Sequence, residues 1–346
     1  MKNNLKVTYG NFVLKGIVGG TKSEKFYGEG SSNGNDWRQL NFSVKINDNA
    51  SVFVKMMGSK NDKVKVVDAS DKKNKKEYYV SWADRYKERK DKSDIFMAAK
   101  VGLEKDETGK KNKIHSLTQF DAVKYIKDTV KDGDSVYIRG SLNYSVYEGK
   151  GQIKYYIQQI YHTEEDVDFK ADGFEPEASF NQEIVYLDSD YDNETNKTAI
   201  NTMVIYKDKT GIHPMPYVFI VNHEKYKNDI VKTAALKELT ENFDRLSYGS
   251  TIKVNGNINI YAEKVTIDVN DDDVIPDFGG FQAKGQETFV KGATVREMEI
   301  TGGDGSSLIV ERYQEEDFIT SSDPFNESEG ERESSKKNSQ DPFSDD

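Results

Sequence analysis

The stretch 72–87, KKNKKEYYVSWADRYK, interleaves cations with aromatic rings more densely than any other part of the chain. Lys73, Lys75, Lys76 and Arg85 stand among Tyr78, Tyr79, Trp82 and Tyr86. Lysine and arginine neutralise phosphates, and aromatic faces stack on bases, each stacked base contributing about 1–3 kcal/mol. Together they provide the chemistry that holds an unpaired nucleic-acid strand. Trp37 with Arg38 at a strand start is a second candidate, and Tyr144, Tyr147 and Tyr156 around a hairpin are a third. Tyr155 and Tyr156 are neighbours in a strand and point to opposite faces, so one of them at most lines a groove; Tyr156 is assigned to it. Plainer readings stand beside these. Tyr78, Tyr79 and Trp82 suit an apolar staple pinning their segment to the fold, Trp37 suits a core cap, and the lysine run suits a solvated loop.

Catalytic patterns are weak. Gly28 to Gly34 is glycine-rich, but no helix signal and no Gly-Lys-Ser/Thr follows, so it reads as a loop rather than a phosphate cradle. The run from Asp188 to Glu194 mimics the start of a calcium loop, yet it lacks the glycine at the sixth place and has Ala199 where the bidentate glutamate belongs. No catalytic residue, metal ligand or cofactor is assigned, and the expected class is not an enzyme.

Of the 346 residues, 49 are Lys or Arg and 60 are Asp or Glu, a net charge of -11. The charge is polarised. Residues 1–163 carry +11 and residues 164–346 carry -22. Such asymmetry points to nucleic-acid contact with an acidic tail, and it confines any phosphate-gripping surface to the first half. The chain has no cysteine, which excludes disulfides and thiolate metal sites and fits a reducing compartment. No apolar run reaches the length of a membrane span, and the first residues lack a signal-peptide pattern. The expectation is a cytoplasmic protein with no membrane partner.

The elements that must position these residues are mostly short strands. Leu40, Phe42, Val44 and Ile46 alternate with polar residues, as do Val52 and Val54. Two helices are expected. Ser116 to Gln119 has capping-box spacing ahead of a stripe of Phe120, Val123, Ile126 and Val130. The second spans about 226–246, with Ile230, Ala234, Leu239, Phe243 and Leu246 on its face. GDSVYIRGSLN at 133–143 recurs as GSTIKVNGNIN at 249–259, each copy after a helix, with Gly140 and Gly256 marking mid-strand bends. Three strands, a helix, a bent strand and a hairpin is the order of a small closed barrel of OB type.

The expected fold is therefore mainly β: two tandem OB-type barrels with one helix each, plus a disordered acidic C-terminal tail. The boundaries are 1–163, with an insertion at about 58–115; an acidic linker at 164–179; a second barrel at 180–270; a linker and small β element at 271–312; and the tail at 313–346.

The segment GDSVYIRGSLNYSVYEGKGQIKYYIQQIY at 133–161, with the strand opening at Trp37, resembles bacterial and phage single-stranded-DNA-binding proteins. The resemblance covers residues 8–162, broken by about 60 residues that family lacks, and extends weakly over 180–270. It implies sequence-independent binding of single-stranded DNA in replication or recombination of phage type, in the host-cell cytoplasm. Members of that family end in an acidic tail whose Pro-Phe tip docks replication or recombination proteins. Asp323-Pro324-Phe325 and Asp341-Pro342-Phe343 look like that tip, although Ser344-Asp345-Asp346 follows the second copy. A protein-interaction scaffold and an RNA-binding protein are the alternatives.

Overall fold

The computed structural model describes residues 4–68, 75–89, 93–147, 150–172, 174, 177–266 and 289–319. These residues are mainly β, with two α-helices. The first half contains β1 (Gly10–Gly19), β2 (Tyr27–Ser32), β3 (Asn35–Asn47) and β4 (Ala50–Ser59). An insertion follows with β5 (Lys63–Asp68), β6 (Lys76–Ser81), β7 (Asp94–Ile95), β8 (Ala99–Lys105) and β9 (Asn112–Leu117). Then come α1 (Gln119–Thr129), β10 (Ser135–Tyr147) and β11 (Lys150–His162). The second half has β12 (Ala178–Asp192), β13 (Lys197–Lys207), β14 (Ile212–Asn222), α2 (Ile230–Asp244), β15 (Thr251–Thr266) and β16 (Phe289–Ile309).

Five strands of the first half close on themselves. β1 pairs with β3, β3 with β4, β4 in parallel with β11, β11 with β10, and β10 with β1. The second half repeats this path: β12 with β13, β13 with β14, β14 in parallel with β16, β16 with β15, and β15 with β12. The alternation of residue types drives both rings. Val52, Val54 and Met56 fill the interior with Phe12, Leu14, Leu40, Phe42 and Ile138, while Phe53 and Met57 face outward. Gln119 opens α1 against the first ring. The Thr118 side chain caps this helix by accepting from the Asp121 N–H, and Phe120, Val123 and Ile126 are buried, followed by Val130.

β1 also pairs along β12, from Gly10 opposite Gln182 to Leu14 opposite Ala178, so one sheet runs through both rings. Gln182 is fully buried at this seam, where its side-chain oxygen accepts from the Tyr144 hydroxyl at 3.0 Å. Gly140 and Gly256 sit at register shifts in β10 and β15. A Cβ on Gly140 lies 1.9 Å from the Tyr156 carbonyl oxygen, and one on Gly256 lies 1.7 Å from that of Glu299. Only glycine lets the backbones approach this closely.

Several details differ from the sequence reading. The N-cap of α1 is Thr118 rather than Ser116, whose hydroxyl instead donates to Asp94. The glycine-rich run from Gly28 is half of the β2–β3 hairpin, turned by Asn33 and Gly34 at positive φ. In α2 the buried residues are Leu236 and Phe243, while Ile230 is exposed, because the first turns project beyond the ring. Within the stretch expected as an acidic linker, Val167 is buried and its N–H donates to Ser135 Oγ. Phe289–Ile309, within the segment expected as a linker and small β element, is a 21-residue strand that supplies the fifth side of the second ring. Tyr313, expected to open the tail, is buried against Gly249, and Phe318 packs on Tyr248 and Tyr313. Two aromatic residues among many acids are enough to dock this piece. Residues 320–346, including both Pro-Phe motifs, lie outside the described residues.

Gly140→Ala and Gly256→Ala should each cost about 1–3 kcal/mol, because the added methyl meets backbone that cannot yield. Urea unfolding should show a lower midpoint with an unchanged slope.

Candidate nucleic-acid interface

Along β4 the outward residues are Phe53, Lys55, Met57 and Ser59, and their partners on β3 are Ser43, Asn41, Gln39 and Trp37. On its other side β4 meets β11, with Val54 beside Tyr155 and Lys55 beside Tyr156. Parity then separates the two tyrosines. Tyr155 turns inward, edge-on to Phe12 at 5.2 Å, and burial pushes its hydroxyl up to about 12. Tyr156 turns outward beside Lys55. Burial lowers the pKa of Lys55, and the nearby ammonium of Lys154 lowers it further. Among the described residues no carboxylate pairs with Lys55 or Lys154. Two unneutralised cations beside an outward ring attract an anion and offer a stacking face.

Beyond Tyr156, β11 leaves β4 and pairs with β8 from Gln159 to Tyr161. A cavity of about 430 Å³ opens at this divergence, and Tyr9, Met57, Met97, Asn143 and Tyr156 line it.

Trp37 lies on the same outward side, half-buried, with its ring over Gly30 of the hairpin; a Cβ at that glycine lies 2.9 Å from the indole. Arg38 points the other way. It stacks 4.0 Å over Phe120 and pairs with Glu29 at 3.3 Å. Tyr147 is exposed at the end of β10. Tyr144 is a correction: it is 7% exposed at the seam between the rings, bonded to Gln182 and edge-on to Tyr217, so it offers no face to a base. Its register places it on the inward side of β10 with Leu142, and the second ring covers it.

The insertion divides the remaining candidates. β5, β6 and β7 form a separate three-stranded sheet. Lys75, Lys76 and Tyr79 are exposed on or beside its β6 edge, and the Tyr78 hydroxyl meets Ser93 Oγ at 2.7 Å. Lys73 lies outside the described residues. Trp82, Arg85 and Tyr86 converge on the start of α1. Trp82 packs edge-on to Phe120 at 5.7 Å, and the Arg85 guanidinium lies 4.2 Å over the Trp82 ring. Arg85 Nε donates to Asp121 at 2.8 Å and the Tyr86 hydroxyl donates to the same carboxylate at 2.6 Å. This arrangement holds the insertion on the first ring through Trp82, Arg85 and Tyr86, while Tyr79 of the expected apolar staple is exposed.

Phe53, Lys55, Met57, Lys154 and Tyr9 were missed by the sequence reading. The signal was present: in SVFVKMMGS the residues between Val52, Val54 and Met56 must face outward. Among the described residues no group of three His, Asp or Glu side chains is placed to hold a metal ion, and no helix is long and apolar enough to cross a membrane.

The chain is thus a mainly β protein of two joined five-strand rings, with a cationic, aromatic outer face on the first. It belongs to the YorF family, whose model matches residues 11–338. No curated protein matches the sequence. Among solved structures, the wild-type single-stranded DNA binding protein from Thermus aquaticus is similar at 9% identity and a TM-score of 0.32, covering 75% of this chain and 87% of that one. A deletion mutant of the same protein is similar at 10% identity and a TM-score of 0.31, covering 74% and 87%.

Burial alone opposes ionisation of Asp121, but hydrogen bonds from Arg85, Tyr86 and Thr118 outweigh it and hold the carboxyl below its usual 3.8. The stabilisation is therefore full above pH 3.8 and drains away as pH falls through the lower folded value. Asp121→Asn should cost about 1–3 kcal/mol near neutrality and flatten the acid limb of the stability curve. Urea unfolding followed by tryptophan fluorescence from acid to neutral pH measures both.

Proposed function

We propose that the outward face of the first ring binds single-stranded DNA without reading its sequence. The observation that carries this reading is Tyr156 flanked by Lys55 and Lys154 with no carboxylate neutralising them among the described residues. Phe53 and Trp37 extend the aromatic surface along the same side. Stacking accepts any base and phosphate contacts ignore sequence, so this face has no means of discriminating one base order from another.

The ring of β1, β3, β4, β11 and β10, with a helix between its third and fourth strands, has the order of an OB-type barrel, and the second ring repeats it. The proposed binding face is then the one formed by the barrel's second and third strands together with the part of its fifth strand that pairs with the third. The corresponding side of the second ring pairs Lys197 with Asn222, Ala199 with Ile220, Asn201 with Val218 and Met203 with Pro216; it carries no aromatic ring in those pairs, and its one cation, Lys197, is paired with Glu297 at 2.7 Å. The second ring is assigned a structural or protein-contact role. The motifs at 323–325 and 341–343 are assigned to recruiting replication or recombination proteins of a phage-type system. The role is binding rather than catalysis.

Titration with a poly-dT oligonucleotide, at two salt concentrations and against a duplex control, tests the reading. The single strand should quench intrinsic fluorescence, less so at high salt, and the duplex should not. Tyr156→Ala should cost about 1–3 kcal/mol of affinity, and Lys55→Ala should reduce the log–log salt slope by about 0.7. No binding at low salt, or equal binding of duplex, would sink the proposal.

A further inference from the structure

The turn that links β7 to β8 exposes two large apolar side chains, Phe96 at 45% and Met97 at 63%. Its base is firmly held. Asp94 accepts from Lys100 Nζ at 2.6 Å and from Ser116 Oγ at 2.8 Å, and Ile95 is buried. The Phe96 N–H donates to the Lys65 carbonyl at 2.9 Å, and the Ala98 N–H donates to the Ile95 carbonyl at 3.2 Å. Met97 nevertheless has φ +53, the left-handed region that a side chain enters at a cost and that glycine or asparagine would occupy more cheaply. A rigid turn that presents apolar side chains through a strained backbone is arranged for contact.

Its position indicates with what. The barrel-face cavity beside Tyr156 and a second cavity of about 390 Å³ under the insertion share Met97 and Gln119 in their walls. The second cavity is lined further by Ser59, Lys63, Lys65 and Phe96. Ser59 is the register partner of Trp37. Lys65 Nζ sits 4.5 Å over the Phe96 ring. A path therefore runs from Tyr156 past Met57 and Met97 to Phe96, with Lys55 and Lys154 at one end and Lys63 at the other, where Lys65 is already paired with Glu77.

We propose that the Asp94–Ala98 turn is the second wall of the strand groove, with Phe96 and Met97 contacting a base of the strand that Tyr156 holds. This rests on the reading of the first-ring face given above. The occupant is an unpaired nucleic-acid strand rather than an apolar peptide, because lysines flank both ends of the path and residues 1–163 carry +11. The contact adds grip without adding phosphate neutralisation.

The test uses the full chain with Phe96→Ala and Met97→Gly combined, and with Met97→Gly alone. Glycine accepts the left-handed backbone, so the single variant keeps its fold. Dissociation of a labelled poly-dT oligonucleotide is followed by stopped-flow anisotropy at fixed salt, alongside the urea midpoint. The double variant should release the strand about tenfold faster, with an unchanged salt slope and a shorter occluded length. Met97→Gly should show a smaller effect in the same direction. Wild-type release and occluded length in both folded variants would overturn the role of the turn while leaving the Tyr156 face standing. A wild-type chain that binds no strand would overturn both.

Discussion

The parallel contact between β4 and β11 sets everything that follows. It consists of two residue pairs, Val54 with Tyr155 and Lys55 with Tyr156. Side chains alternate along a strand, so this register decides which tyrosine enters the core and which faces water. With the register observed, Tyr155 packs on Phe12 and Tyr156 stands beside Lys55. A slip of one residue would turn Tyr156 and the Lys154 ammonium on its face toward the core and bring Tyr155 out. The same short contact closes the first ring and makes the surface that ring presents.

The rest of the molecule supports that contact from its flanks. Gly140 in β10 lets the Tyr156 carbonyl approach at a distance no side chain would permit. β1 takes β12 along its edge, and Gln182 seals the seam with Tyr144, so the second ring braces the first instead of swinging from a tether. The Arg85–Asp121 pair and Trp82 fix the insertion at the start of α1, which brings Met97 to the mouth of the cavity beside Tyr156. Aromatic residues in the densest cationic stretch thus serve to place a neighbouring turn.

Much of the architecture was legible in the sequence. Period-two alternation marked the strands, the stripe from Phe120 to Val130 marked α1, and the repeated glycines marked the bends at Gly140 and Gly256. The opposite orientations of Tyr155 and Tyr156 followed from parity alone. What could not be read was the partner of each surface residue. Trp82 and Arg85 look like a binding patch until α1 is folded beside them, and that contact joins residues 36 positions apart in sequence. Tyr144 lost its exposure to a second ring that only tertiary pairing brings near. Phe53 and Lys55 were legible from the same alternation that buried Val52 and Val54, but their spacing is sparse, and the dense run at 72–87 drew the assignment instead.

The most direct test of the central claim is ultraviolet cross-linking of the full chain to a poly-dT strand, with the linked peptides mapped by mass spectrometry. The account predicts cross-links at Tyr156, Phe53 and Trp37 on the first ring, suppressed by unlabelled single strand and not by duplex. Cross-links confined to the second ring, or none on β4 and β11 in a chain that binds the strand, would contradict it.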